Sequence, residues 1–448
     1  MLAAARLCAI DLDPTFGQGG KVVTPFPGPQ SSASAVLIQP DNRIVAAGSV
    51  GDAFSPRVAL ARYNSDGSLD PTFGSGGRVV TNAGGVGSYA TGLALQPDGK
   101  LLVSGVLILV DAPADSSFLV VRYLPDGSLD PSFGAGGIVA TDFLAGPGGQ
   151  DGAKSLTVEP GGNIVAAGFT GVFTNSNAFA LARYDSTGGL DPTFGVGGRV
   201  VVDMGAGLTD SVNAVALQPN GGVVGCGTYF EFPRNRFALI RLTPDGSLDP
   251  TFGSGGRVYT EASPDGSSCQ GMGLQSDGKI VAFGGALSDF AVLRYLADGS
   301  LDLGFGAGGI ALTRFEGSSG ANGGAIAADG GIVAAGTAFS GVETDFALAG
   351  YLPDGQPDPD FGPTGWLTTD FGGHDGANAM AIQPDGRIVA AGFAGPVDQI
   401  QFALARYAGA ISGATAPVPA LSEAGLLALG VLLAVAGTAL LMGFGRTG

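Results

Sequence analysis

The sequence predicts an all-β chain, a seven-bladed β-propeller of four-stranded antiparallel blades, followed by one C-terminal transmembrane helix. Three observations carry this expectation. The hexapeptide Leu-Asp-Pro-Thr-Phe-Gly stands at residues 12–17, 69–74, 190–195 and 248–253, with variants at 129–134, 301–306 and 357–362. Its acidic residue recurs as Asp13, Asp70, Asp130, Asp191, Asp249, Asp302 and Asp358, in steps of 57, 60, 61, 58, 53 and 56 residues. A near-constant period of that size means an array or a propeller. The segments between copies read as short strands with no helical periodicity.

The copy from Leu69 to Ser128 gives the element order. Residues 76–81, Gly-Gly-Arg-Val-Val-Thr, read as a first strand. Residues 90–96 alternate apolar and small side chains as a second strand and meet Pro97-Asp98-Gly99-Lys100, a tight turn in which Gly supplies the positive φ. Residues 101–105 are the third strand, written Ile-Val-Ala-Ala-Gly from Ile44, Ile164 and Ile388. Residues 118–123 are the fourth, recurring as Phe-Ala-Leu-Ala-Arg-Tyr at 179–184 and 402–407. Third and fourth strands each occur seven times, which sets the blade count. The chain enters before a first strand and leaves after a fourth one. The strand at 19–24 is therefore expected to complete a blade with the last three C-terminal strands and close the ring. An open solenoid is the alternative, and it would require polar caps that the sequence lacks.

Composition narrows the function. Charged residues make up 13% of the 448, with a net charge of −18, so nucleic acid and anionic membrane surfaces are poor partners. The 80 glycines sit mostly at fixed places in the copies and are turn chemistry. Three cysteines cannot build a disulfide framework. Cys226 replaces the Ala or Ser of other copies and is expected as a small buried side chain rather than a partner of Cys269.

The ordered set Phe-Ala-Leu-Ala-Arg-Tyr, Asp-Gly-Ser-Leu-Asp-Pro-Thr-Phe-Gly and Gln-Pro-Asp-Gly-Lys-Ile-Val-Ala-Ala-Gly resembles the bacterial delta-60 repeat family across residues 12–407. The resemblance implies a propeller-like fold and no assigned reaction. The sixth copy departs most, with Leu303-Gly304 for Pro-Thr and Gly350 for the fourth-strand Arg.

Six fourth-strand arginines, Arg62, Arg122, Arg183, Arg241, Arg294 and Arg406, recur with acidic residues in the segments that follow. They read as structural, each holding a carboxylate between blades with its planar fork. The Asp-Gly-Ser-Leu-Asp runs lack the alternating oxygens and later Glu of a calcium loop and read as turns. His374 is the single histidine, which excludes a multi-His metal site, and no Gly-x-Ser-x-Gly elbow is present. His374 reads as a solvated loop residue and Trp366 as a packing residue. No catalytic residue, cofactor or metal ligand is expected.

The loops after first and third strands vary between copies, and alternating strand direction brings both sets to one face. Binding residues concentrate on such loops. The ligand-binding candidates there are Asp142, Asp203, Asp210, Asp370, His374 and Asp375. Asp111, Asp115, Asp151, Phe230, Phe232, Arg234, Arg236, Glu343 and Asp345 share the face.

The ends carry separate expectations. Residues 424–445 are uncharged and, at 1.5 Å per residue, reach roughly 33 Å as a helix, enough to span a membrane. Arg446 beyond them orients the propeller outside the cytoplasmic membrane. Residues 418–425 resemble the C-terminal sorting signal Ile-Pro-Thr-Leu-Ser-Glu-Trp-Gly of Gram-negative envelope proteins, keeping Pro419, Leu421, Ser422, Glu423 and Gly425. That resemblance implies a sortase-like processing enzyme. Residues 1–11 read as the remnant of a signal peptide with the true start codon upstream. The expected layout is then remnant 1–11, propeller 12–410, linker and motif 411–423, and anchor 424–448. The expected function is a cell-surface or secreted, non-enzymatic binding scaffold for a glycan, peptide or envelope protein. The alternatives are a lyase or hydrolase using acidic loop residues, and a purely structural or adhesive module.

Overall fold

The computed structural model describes residues 10–52, 55–109, 115–143, 148–172, 177–205 and 210–409. The expected sorting motif and C-terminal anchor, and all but the last two residues of the expected signal remnant, lie outside them. Among the described residues no helix is long and apolar enough to cross a membrane.

The strands pair antiparallel with their neighbours in sequence. Gln30–Ile38, Ile44–Gly51, Arg57–Tyr63 and Arg78–Thr81 form one four-stranded sheet. Ser211–Leu217, Val223–Glu231, Arg234–Leu242 and Arg257–Thr260 form another, as do Ser267–Leu274, Ile280–Ala286, Asp289–Tyr295 and Ile310–Thr313. Ser319–Ile326, Ile332–Phe339, Thr344–Tyr351 and Trp366–Thr369 form a fourth. The strands from Gly87–Leu95 to Ile138–Thr141 and from Gly149–Val158 to Arg199–Val202 are two four-stranded runs joined at one parallel pair, Gln150 with Ser116. The remaining sheet holds His374–Ile382, Ile388–Gly395 and Gln401–Ala408, and the N-terminal strand Lys21–Thr24 completes it. Asp11–Leu12 adds two further residues against Gln401–Ala408. Chain ends thus share a sheet, as anticipated.

Each first strand belongs to the sheet of the copy before it. Thr81, for example, pairs with Val58. A copy therefore spans two sheets, and the Leu-Asp-Pro-Thr-Phe-Gly segment lies in the link between them. Observed strands exceed the sequence-derived ones by a few residues at the variable end: the second is Gly87–Leu95, the third Leu101–Ile108 and the fourth Ser116–Tyr123.

Apolar seams hold neighbouring sheets together. One cluster joins Ala379, Val389 and Leu404 of the last sheet to Ala33, Ile44, Ala46 and Tyr63 of the first. Fully burying side chains of this size contributes about 1.5–3 kcal/mol each. The third-strand glycine has a steric cause. A Cβ on Gly48 would collide with the Ser32 carbonyl oxygen, and one on Gly392 with that of Gly376. Each sits beside a bulge in the inner strand, between Ala33 and Ala35 or between Ala377 and Ala379.

The repeated arginine is the polar hub of six links. Arg62 Nε donates to Asp70 Oδ2 at 2.8 Å, Nη2 to Thr72 Oγ1 at 3.1 Å, and Nη1 to the Pro125 carbonyl of the next turn at 2.5 Å. Its guanidinium lies 4.6 Å from the Phe73 ring centre. Arg122, Arg183, Arg241, Arg294 and Arg406 repeat this with Asp130, Asp191, Asp249, Asp302 and Asp13. In the sixth copy the Phe361 ring occupies the space that a side chain on Gly350 would need.

A second joint is a buried hydroxyl pair. Tyr63 bonds Thr24 at 2.7 Å, and Tyr123, Tyr184, Tyr295, Tyr351 and Tyr407 bond Thr81, Thr141, Thr260, Thr313 and Thr369. Leu242 and Val202 take the corresponding places in the remaining copy and pack in one cluster. Both partners change together because a single change would strand a buried hydroxyl.

The cysteine expectation is corrected. Cys226, on a third strand, and Cys269, on the next inner strand, form a disulfide with Cα atoms 6.1 Å apart. The seam brings them side by side despite 43 residues of separation. Comparing each with its own position in other copies could not reveal that. Both are also fully buried, as expected for Cys226. His374 is likewise not in a loop: it opens the inner strand His374–Ile382 and is half-buried.

Candidate functional site

The repeated acids at the invariant face are consumed by their own turns. Asp66 Oδ1 accepts the Ser68 N–H at 2.9 Å and its hydroxyl at 2.6 Å, and Asp126 does the same with Ser128. These bonds hold both carboxyls below the usual carboxylate range. Asp130 is pulled down to about 2: burial opposes ionisation, but Ser132 and the Arg122 charge outweigh it. That chemistry closes turns and links.

The variable-loop face is different. Its six sequence candidates, five acids and one histidine, fall at three separate seams. Asp142 stands beside Asp151, which is buried and accepts the Phe143 N–H at 2.7 Å. Burial, with Asp142 adding repulsion, pushes Asp151 up to about 6. Asp203 stands beside Asp210, which is buried, accepts the Phe230 N–H at 3.0 Å and is pushed up by burial to about 6. At the third seam Asp370 and Asp375 meet Asp345, with one oxygen of each within 4.8 Å of the others. Asp375 accepts N–H bonds from Phe346 at 3.0 Å and Phe371 at 2.8 Å. Burial still pushes it up to about 7, and Asp345 and Asp370 add to the push. Asp210 and Asp375 are therefore buried acceptors at the start of inner strands rather than loop-tip residues. Asp111 lies outside the described residues.

A pocket of about 580 Å³ opens on this face. Phe230, Arg234 and Asn235 line it from one third-to-fourth-strand connection, and Phe339 and Thr344 from another. Ser268, Gln270, Asn322 and Thr337 line it from the strands between. Amides, hydroxyls and a guanidinium thus converge beside two aromatic rings, the mixture that fixes a polar ligand. Arg236 is held by Glu231 at 3.1 Å, and Phe232, beside the pocket, is 83% exposed. A larger cavity of about 770 Å³ at the inner strands' other ends is lined mainly by Leu37, Leu93, Leu95, Leu156 and Val215, with repeat-turn residues.

Sequence reasoning anticipated Phe230 and Arg234 but missed Gln270, Asn322 and Lys154. All three are the bulged residue of an inner strand, the place also held by Ser34, Thr91, Asn213 and Asn378. Asn213, Asn322 and Asn378 each donate to a carbonyl of the next inner strand, at 2.8 to 2.9 Å. Lys154 brings a charge to this level, pushed down by burial to about 8 and 5.7 Å from the Phe169 ring. Aligning the copies at Ala-x-Ala would have exposed this polar position.

Comparison with known proteins bears on the fold. No curated protein matches the chain. Among solved structures, Sqt1 from Chaetomium thermophilum is similar at 13% identity and a TM-score of 0.47, covering 85% of this chain and 97% of its own. A catalytically inactive virginiamycin B lyase from Staphylococcus aureus bound to quinupristin gives 11% identity, 86% and 98% coverage and a TM-score of 0.44. The endo-arabinase from Bacteroides thetaiotaomicron gives 9%, 72% and 95%, and 0.35. None of these likenesses carries a function over to this chain. The model described as "Domain of unknown function (DUF5122) beta-propeller" matches residues 39–73, 96–133, 160–194, 218–252, 275–305 and 327–361. Each match runs from a second-to-third-strand turn into the next Leu-Asp-Pro segment, and the C-terminal copy, whose segment lies at Leu12, is split between the chain ends. Six copies of the chain thus match a β-propeller repeat model, in keeping with its four-stranded antiparallel sheets.

Proposed function

We propose that the chain is a seven-bladed, non-enzymatic binding scaffold that takes a polar ligand, a glycan or a peptide, on its variable-loop face. The observation that carries this reading is the 580 Å³ pocket, lined by Arg234, Asn235, Ser268 and Gln270 beside Phe230 and Phe339. Hydroxyl-rich and amide-rich ligands need such donors and acceptors next to an apolar surface. The contrast with the opposite face supports it, since the repeated Asp residues there already bond their own turns. The Cys226–Cys269 bond fits an oxidising compartment and so the expected display outside the cytoplasmic membrane. The blade count rests on the four-stranded runs and on the N-terminal strand that closes the last of them.

The test is glycan-array and peptide-array screening of the chain, followed by Arg234→Ala and Gln270→Ala. Each variant should weaken a hit at least about tenfold, the effect of losing one charged or bidentate contact, with thermal stability unchanged. An array without hits, or hits indifferent to both variants, overturns the reading. One observation favours a hydrolase or lyase instead: burial holds the Asp375 carboxyl at about 7, where a general acid works best. Turnover lost on replacing Asp370, His374 and Asp375 with Ala, folding intact, would favour that alternative.

A further inference from the structure

We infer that Asp345, Asp370 and Asp375 hold a divalent cation, calcium by the chemistry of its donors, across the seam between the sheet of Thr344–Tyr351 and that of His374–Ile382. One oxygen from each carboxylate lies within 4.8 Å of the others. An ion bonded at about 2.4 Å to each oxygen spans at most about that separation.

The acids alone would not justify a site, but Asp345 is a second observation. It is 9% exposed, and no donor reaches its carboxylate among the described residues. Its charged neighbours are Asp370 and Glu343, which add to the cost of ionising it. A largely buried side chain whose charged neighbours are other carboxylates lacks the ion-pair partner that such groups ordinarily have. Lys21 forms no ion pair with these carboxylates. Lys21 Nζ donates to the Asp370 main-chain carbonyl and lies 5.3 Å from the Phe371 ring centre.

Two neighbouring sheets serve as internal controls. Asp345 precedes Phe346, which pairs with Thr369, and Asp370 follows that threonine. One sheet earlier, Asp289 and Arg314 take those two places and form an ion pair at 3.2 Å. In the sheet before that they are Arg236 and Glu261, 3.9 Å apart. Each of these seams balances its charge within the pair, while the Asp345 seam carries acid at both places and adds Asp375.

The charge of Asp375 is more than its bond to Phe346 requires. At its register position, Ser31 in another copy accepts the Phe402 N–H at 3.2 Å, just as Asp375 accepts that of Phe346. A neutral hydroxyl meets this need without burying a charge. Each oxygen of Asp375 accepts one N–H and keeps a further lone pair for an ion. Three carboxylates and no thiol make an all-oxygen donor set, which suits calcium, with water completing the shell. The ion would tie the closing sheet, completed by the N-terminal strand, to its neighbour. This inference is independent of the glycan or peptide reading, since array binding and calcium binding are measured separately.

The experiment is calcium binding to the full chain after chelator treatment, by isothermal titration, with thermal midpoints recorded with and without about 1 mM calcium, the affinity range of extracellular sites. Calcium should bind at one site per chain and raise the midpoint. Asp370→Asn, at an exposed position, should weaken binding at least about tenfold and abolish the rise. Asp375→Ser keeps an acceptor for Phe346 and should do the same. Asp289→Asn, at the neighbouring ion-paired seam, should leave binding unchanged. Absence of binding in the parent chain, or binding retained by both seam variants, overturns the proposal, and tighter binding of magnesium or zinc overturns the calcium assignment.

Discussion

Removing the acid from an Arg–Asp hub tests whether burial sets the strength of these joints. Arg406 and Asp13 are 2% and 4% exposed at their side chains, and Arg122 and Asp130 are both 4% exposed. Arg241 and Asp249 are 11% and 20% exposed. Asp13 and Asp130 also face a second cation, Arg387 at 3.3 Å and Lys100 at 3.3 Å. Asp13→Ala or Asp130→Ala leaves a guanidinium buried without its partner, which costs about 3–5 kcal/mol. Asp249→Ala leaves Arg241 partly reachable by water, which lowers the cost to about 1–2 kcal/mol. Equilibrium urea unfolding at pH 7 of the three variants gives the ranking, provided the m-value is unchanged. Sequence separation supplies a control. Asp13 is 393 residues from its arginine and Asp130 is 8 from its own, so comparable losses assign the effect to burial rather than ring closure. An Asp249→Ala loss equal to that of Asp130→Ala refutes the reasoning. The Asp130 contribution should also fade as pH falls through about 2, because the folded state holds that carboxyl below its ordinary 3.8.

Three other outcomes follow from single contacts. Asp210 has the opposite sign: burial raises it from 3.8 to about 6, so its contribution favours the fold below 3.8 and is lost as pH rises through 6. Asp210→Ser, the residue at this place in the first copy, should gain up to about 3 kcal/mol at pH 7 and nothing at pH 3.5, by pH-resolved denaturation. Cutting the Cys226–Cys269 bond by reduction should lower stability by up to about 4 kcal/mol, the chain-entropy value for 43 residues, and Cys226→Ser should erase the response to reductant. Gly392→Ala forces a methyl against the Gly376 carbonyl and should cost about 3 kcal/mol in thermal unfolding, while an exposed loop glycine such as Gly19, with open space at its Cβ, should lose less.

Much of the architecture was legible because it is local and repeated. Turn residues, alternating strands and the Arg–Asp recurrence lie within one period, so they are restated from copy to copy, the arginine in six of the seven. The ring-closing strand followed from where the chain enters and leaves the repeat. The candidate site was less legible. Asp370 and Asp375 were marked as loop acids, but the burial of Asp375, and its meeting with Asp345 from the copy before, depend on how one sheet leans on the next. The polar bulge residues were hidden because an extra residue in the inner strand shifts them off the alternating pattern.

What this sequence determines alone is the module: its strands, its turns, the arginine hub, and the face on which copies are free to differ. What only the tertiary structure decides is which residues of different modules meet across a seam. Cys226 finds Cys269, Tyr63 finds Thr24, and Asp345 finds Asp375. Hydrogen-bond ladders and turns are set by neighbours in the chain, whereas seam contacts depend on the offset between packed sheets, which no single copy encodes.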